Sequence, residues 1–262
     1  MKYHIFYGLM TNISTIDGVL EELDNIISTT VEEDSPLAIF AFVYRRTTAR
    51  IADGITEGVF EDPRRMERFD VGFARKYIQA FWRYRHDKPV SFVWKIAFRA
   101  AEGPDGRKPI ILQHLLLGMN AHINLDLGVA AAETAPGGQI QLLKKDFMIV
   151  NDLLEELIDE MQEWIGRSSP LLFLLDWIGE RNDESVVNFS IRRARDFAWN
   201  LAVTLAHAGE EEKEHIIRDV DAQIERVAKA VLAPPGVLLP GVLRLIRTFE
   251  EKNTRTVIES LK

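Results

Sequence analysis

The chain has 262 residues, of which 47% are hydrophobic and 27% charged, values that are ordinary for a folded globular protein and exclude a disordered chain. Its formal net charge of -8 argues against a nucleic-acid-binding protein, because phosphate binding needs clustered lysine and arginine side chains. The absence of cysteine excludes disulfides, thiol catalysis and thiolate metal sites.

The pattern of apolar residues predicts an all-α fold, a single globular array of about nine or ten helices round a buried central helix. Ser14-Thr15-Ile16-Asp17 is typical of a capping box, and Asp62-Pro63 of an N-cap acid followed by a proline in the first helical turn. The predicted helices cover approximately 14–27, 36–53, 62–85, 89–101, 110–133, a long amphipathic stretch ending near 166, 170–178, 184–208, 210–232 and a last stretch through 243.

No low-complexity linker divides the chain. We therefore expect one domain over residues 1–262, with 210–262 as a possible C-terminal helical extension. The apolar stretch Ile5 to Met10 is too short for the core of a signal peptide, so we expect a cytoplasmic protein.

The predicted central helix, from about Ile110 to Glu133, carries apolar residues at all angles, which is typical of a helix buried on every side. Its length would allow it to span a bilayer, but polar residues inside it would be costly in lipid. We interpret it as the core helix of a soluble protein without a membrane span. The polar residues concerned are Gln113, His114, Asn120, His122, Asn124 and Asp126.

Helical periodicity divides these polar residues between two faces. Gly118, His122 and Asp126 lie on one face. The second face carries Gln113, Asn120 and Asn124. A buried histidine or carboxylate costs several kcal/mol unless it is satisfied, so both rows must meet partners from other helices.

Other helices supply candidate partners, because Asp70 and Asp146 lie within apolar faces. Arg192 and Asp196 are four residues apart, with Trp199 on the same side, which predicts a half-buried ion pair beneath an aromatic ring. The candidate catalytic residues are His122, Asp126, Asp70, Asp146 and Asp196. The candidate substrate-binding residues from this reasoning are Tyr44, Tyr77, Asn120, Asn124, Arg192 and Trp199.

Three interpretations of this polar set are open. It is a hydrogen-bonded network that fixes helix register, a site for one divalent metal ion with His122 and Asp126 as ligands, or the polar part of a small-molecule pocket. The spacing of Gly118, His122 and Asp126 is similar to one helix of the all-helical zinc phospholipase C and nuclease group, over nine residues only.

The segment Gly118-Met119-Asn120-Ala121-His122-Ile123-Asn124-Leu125-Asp126-Leu127 closely resembles a mostly bacterial family known only as domain of unknown function 5995. Further agreement lies at Phe60-Glu61-Asp62-Pro63, Asp146-Phe147 and Arg192-Arg193-Ala194-Arg195-Asp196. The resemblance covers roughly Phe40 to Leu205 and adds Asn151 and Asp152 to the candidate residues. Members of the family tend to have a proline where this chain has Gly128, so the end of the central helix is expected to differ.

The leading hypothesis is an internal polar site centred on His122 and Asp126, with metal-dependent hydrolysis as its chemistry if the protein is an enzyme. His122 would be a ligand or general base, and Asp126 would orient it or bind the metal. The rival hypothesis is a non-catalytic binding or interaction protein with an aromatic-lined apolar cavity. The aromatic residues expected to line that cavity are Phe73, Tyr77, Phe81, Trp94 and Trp199.

Overall fold

The computed structural model describes residues 13–103, 109–175 and 191–260, and these residues form helices and no strand. The all-α prediction is confirmed. The helices are α1 (Ile16–Glu32), α2 (Leu37–Glu57), α3 (Pro63–Arg85), α4 (Phe92–Glu102), α5 (Ile111–Ala121), α6 (Leu127–Thr134), α7 (Ile140–Ser168), α8 (Ile191–His207), α9 (Glu210–Leu232), α10 (Leu238–Phe249) and α11 (Thr254–Ser260).

Several helix boundaries follow from the predicted caps. The Asp62 carboxylate accepts a hydrogen bond from the Arg65 backbone N–H at 2.9 Å, as expected for an N-cap. The first helix is capped by Thr15 rather than Ser14, through a hydrogen bond from the Gly18 N–H. α11 was not predicted. The apolar stretch at 5–10, the end of the predicted helix at 170–178 and the start of the predicted helix at 184–208 lie outside the described residues.

The central helix is not a regular α-helix throughout, and that prediction was wrong for one turn. Residues His122–Asp126 form a π-helical turn between α5 and α6, in which the Leu127 N–H bonds to the His122 carbonyl five residues back. Short π turns of this kind are rare and occur often at functional sites. Over residues 122–126, the 3.6-residue periodicity used for the sequence prediction therefore does not hold.

The central helix lies inside the protein because other helices surround it. Its segments pack against α2, α3, α4, α8 and α9. Two glycines allow close approach: a Cβ at Gly118 would lie 2.4 Å from the Phe40 ring, and one at Gly128 would lie 2.8 Å from the Ala198 carbonyl oxygen. Within the described ranges, Ile111–Thr134 is the one helix long and apolar enough to cross a membrane, and 89% of its apolar window is buried.

The C-terminal residues pack on the same core. α9 packs against α4 and α5, and Val257 and Ile258 of α11 are buried in the main hydrophobic cluster. Two acids from this region accept hydrogen bonds at helix N-termini: Asp221 from the Val93 N–H at 3.0 Å, and Glu250 from the Ile111 N–H at 3.0 Å. Such carboxylates satisfy backbone donors that have no partner within the helix.

Candidate functional site

His122 and Asp126 lie together within the π turn. The His122 Nδ1 lies 3.0 Å from Asp126 Oδ2, and the Trp94 Nε1–H donates to the same oxygen at 2.9 Å. All three side chains are buried. Because a carboxylate can only accept, Nδ1 carries the proton in neutral His122, and Nε2 is left as a hydrogen-bond acceptor. Asp126 thus fixes both the ring orientation and the tautomer.

Aromatic rings surround the imidazole. The Phe73 ring stacks on His122 with centroids 3.7 Å apart, and the Tyr44 ring meets it edge-on at 4.4 Å. Burial lowers the pKa of His122 below its ordinary 6.5, although the hydrogen bond and charge of Asp126 oppose this shift. His122 is therefore neutral at pH 7, and its Nε2, which is buried, has no hydrogen-bond partner.

A second buried polar group without a partner is Asp70 on α3. Its side chain is 1% exposed, and Oδ2 makes no hydrogen bond. Burial raises the pKa of Asp70 to about 7, so the carboxyl is partly protonated near neutral pH. The buried Tyr44 hydroxyl lies near Thr48 on the same helix and near the Asp70 carboxyl, and burial together with the Asp70 charge raises the pKa of Tyr44.

These three groups line one cavity. Its volume is about 80 Å³. Most of its wall is hydrophobic, and its half-buried side is formed by Thr47, Ile123, Leu154, Leu157, Met161 and Ile191. The deeper wall includes Phe40, Val43, Tyr44, Met66, Phe69, Asp70, Phe73, Met119 and His122. The site is an apolar cavity with a few polar groups, which is typical of a small-molecule pocket.

Arg195 also lines the cavity, and it is the residue that sequence reasoning missed on α8. It is 4% exposed, donates from Nε to Asn151 Oδ1 and from Nη2 to the Phe147 carbonyl at 2.6 Å, and lies over the Phe147 ring. Arg192 and Asp196, which were predicted to be half-buried, are both exposed. Helix α8 turns Arg195 inward. Arg192 and Arg195 precede Trp199 by seven and four residues, so both lie near its face and periodicity could not distinguish them.

The opposite polar row of the central helix has a different role. The Gln113 Nε2 donates to the Val231 carbonyl at 2.6 Å, and the Asn120 Nδ2 to the Ile224 carbonyl at 3.0 Å. Asn124 donates to Asn120 Oδ1 at 2.9 Å. These amides attach α9 to the core, and none of them lines the cavity.

Asp146, predicted to belong to the same site, makes its contacts away from the cavity. Its carboxylate pairs with Arg65 at 2.7 Å and accepts from the Glu61 N–H at 2.6 Å, so it fixes the turn before α3. Trp199 packs on Phe147. Neither Asp146, Asp196, Tyr77 nor Trp199 lines the cavity. Of the five aromatic residues expected to form its wall, Phe73 does so; Trp94 instead holds Asp126, which no sequence signal indicated.

The metal hypothesis finds limited support. No group of three or more histidine, aspartate or glutamate side chains in the described part of the chain is arranged to hold a metal ion. Asp126 Oδ2 already accepts two hydrogen bonds, so it orients His122 rather than facing the cavity as a second ligand.

Comparison with known sequences identifies the family. The family model described as Family of unknown function (DUF5995) matches residues 16–234. The chain belongs to this family. The match contains α1 to α9 and every residue of the cavity wall. No curated protein and no solved structure matches the chain significantly.

Proposed function

We propose that this DUF5995 protein binds a small, mostly apolar molecule in the cavity beside His122. The observation that carries the proposal is the position of two buried, unpartnered polar atoms, His122 Nε2 and Asp70 Oδ2, on one apolar cavity wall that also carries the Tyr44 hydroxyl. Each such group costs about 1–3 kcal/mol when it is left without a hydrogen bond. A ligand that supplies partners recovers this free energy.

The polar groups define which ligand atoms fit. Neutral His122 accepts a hydrogen bond from a hydroxyl or N–H group through Nε2. Tyr44 donates one, as does Asp70 when it is protonated, which suits a carbonyl or hydroxyl oxygen. The hydrophobic wall contributes by removing the ligand's apolar surface from water.

Methionine methyl groups offer a direct test, because Met66, Met119 and Met161 line the cavity and Met148 does not. In protein labelled with ¹³C at the methionine methyls, we expect xenon, benzyl alcohol and 3-methylbutan-1-ol to shift the three cavity signals in a saturable way. The Met148 signal is the internal reference and should move less than the three cavity signals, because its sulfur reaches the site only through Asn151, whose Nδ2 donates to it. If neither xenon nor either alcohol shifts the cavity signals, or if Met148 shifts equally, the binding function is wrong.

The second candidate function is acid–base catalysis on the bound molecule, and ester hydrolysis is its simplest form. It is favoured by the Asp126–His122 pair, which presents an imidazole acceptor to the cavity as a general base requires. His122 Nε2 would take a proton from an attacking water, and Asp126 would stabilise the resulting imidazolium.

Hydrolysis of 4-nitrophenyl butanoate tests this second function. General-base catalysis contributes about 10²–10⁴-fold, so His122→Gln should lose that factor, whereas His207→Gln, a change at an exposed histidine, should lose nothing. Equal rates for the two variants would contradict the catalytic role. A metal-dependent form predicts that zinc or manganese raises the melting temperature of the wild type but not of His122→Ala.

A further inference from the structure

Arg195 carries a buried positive charge that the described residues do not neutralise. Its guanidinium contacts a side-chain amide and a backbone carbonyl, and no carboxylate of the described residues lies within ion-pair distance of it. Asp196 interacts with it only at longer range and is itself exposed. A buried charge without a counter-charge is strongly unfavourable. Among the described residues, no ionised carboxylate pairs with this charge.

The guanidinium is held in position but keeps donors available. Nε and Nη2 each make one hydrogen bond and Nη1 makes none to the residues that the structure describes, so three of its five N–H groups have no partner among them. Stacking on the Phe147 ring, with the guanidinium carbon 4.5 Å from its centre, fixes the plane. A planar, oriented guanidinium of this kind is suited to bidentate binding of a carboxylate.

We infer that the molecule bound in the cavity is a monoanion, a short carboxylate with a compact apolar body, and that Arg195 binds its charged group. The inference rests on the proposed binding function of the cavity. The small volume and apolar wall favour a singly charged group, because a dianionic phosphate would leave a second charge buried without a partner.

The remaining polar groups are compatible with this ligand. The carboxyl group of Asp70 is neutral when protonated, and its raised pKa allows this near pH 7, so it need not repel the anion. Neutral His122 likewise carries no charge that competes with Arg195. Burial lowers the pKa of Arg195 to about 9, which leaves it positively charged at neutral pH.

Matched pairs of probes separate charge from shape. Benzoate is compared with benzyl alcohol, and 3-methylbutanoate with 3-methylbutan-1-ol, by titration of the cavity methionine signals in chloride-free buffer at pH 7. We expect the wild type to bind each carboxylate at least about tenfold more tightly than its alcohol. In Arg195→Gln this ratio should fall to about one while alcohol binding is kept.

Arg192→Gln is the matched control, since Arg192 lies on the same helix with an exposed side chain, and its ratio should equal that of the wild type. Arg195→Lys, which keeps the charge but not the planar fork, should retain part of the preference and serves if Arg195→Gln does not fold. Equal affinities in the wild type, or a preference that survives in Arg195→Gln, overturn the anion inference and leave the binding function standing. If neither the carboxylates nor the alcohols bind, both fail.

Discussion

The two polar rows of the central helix differ in how their hydrogen bonds are completed. On the side facing α9, Gln113, Asn120 and Asn124 find protein partners for their amides. On the side facing the cavity, Asp126 is satisfied but His122 Nε2 is not, and Asp70 across the cavity wall is not either. The first row stabilises the fold. The second leaves polar groups without protein partners at a cost in stability, which the proposed binding function would explain.

The largest test of this comparison is the pH dependence of Asp70→Asn. Burial raises the folded-state pKa of Asp70 to about 7, above an unfolded value near 3.9, so between these pH values the folded state binds more protons. Wild-type stability conferred by Asp70 is therefore full below about pH 4 and is lost as the pH rises through 7. The free energy of unfolding of Asp70→Asn minus that of the wild type should rise by about 4 kcal/mol from pH 4 to pH 8.

Urea denaturation at several pH values measures this difference. Asp62→Asn is the control with opposite sign, because the N-cap hydrogen bond from Arg65 lowers the pKa of Asp62. There the wild type gains stability over the variant as the pH rises through the acid range. A pH-independent difference for Asp70→Asn would mean that Asp70 has a partner in solution and that the cavity wall is satisfied.

A smaller effect on stability is expected in the row facing α9, whose amides have protein partners. Asn120→Ala removes the hydrogen bonds to the Ile224 carbonyl and from Asn124, and leaves both buried groups unpaired. The loss should be about 2–4 kcal/mol in the free energy of unfolding, measured with urea. Asn200→Ala, at an exposed position on α8, should change it by less than about 0.5 kcal/mol. Similar values for the two variants would show that the amide row does not hold α9.

The smallest predicted effect concerns the hydrogen bond that holds Asp126, in the row facing the cavity. Trp94→Phe removes the indole donor to Asp126 but leaves His122 as the partner of that carboxylate. A loss of about 1–2 kcal/mol is expected, as for a hydrogen bond to a charged group. Trp164→Phe is the matched control, since its ring packs beneath Arg46 and away from the cavity. If Trp94→Phe costs no more than this control, Asp126 does not depend on the indole.

Much of this arrangement was predicted from particular residues. The opposed positions of His122 and Asn120, and the burial of Asp70 within an apolar helix face, followed from periodicity alone. Asp146, Arg192, Asp196 and Trp199 were assigned to the same site because each is a polar or aromatic residue at a plausible helical position. Periodicity predicts which face of a helix a residue occupies but not which other helix packs against that face. The sequence therefore could not predict that these four residues lie away from the cavity.

The sequence by itself determined the all-α fold, the buried central helix and its two polar rows, because helix caps and apolar periodicity act between residues close in the chain. Only the tertiary structure decided which row would be satisfied. It brought α9 to Asn120, Trp94 to Asp126 and Arg195 to the cavity. It also shows that residues 122–126 form a π turn. These contacts link residues far apart in the chain, and their free energy depends on partners that no local pattern specifies.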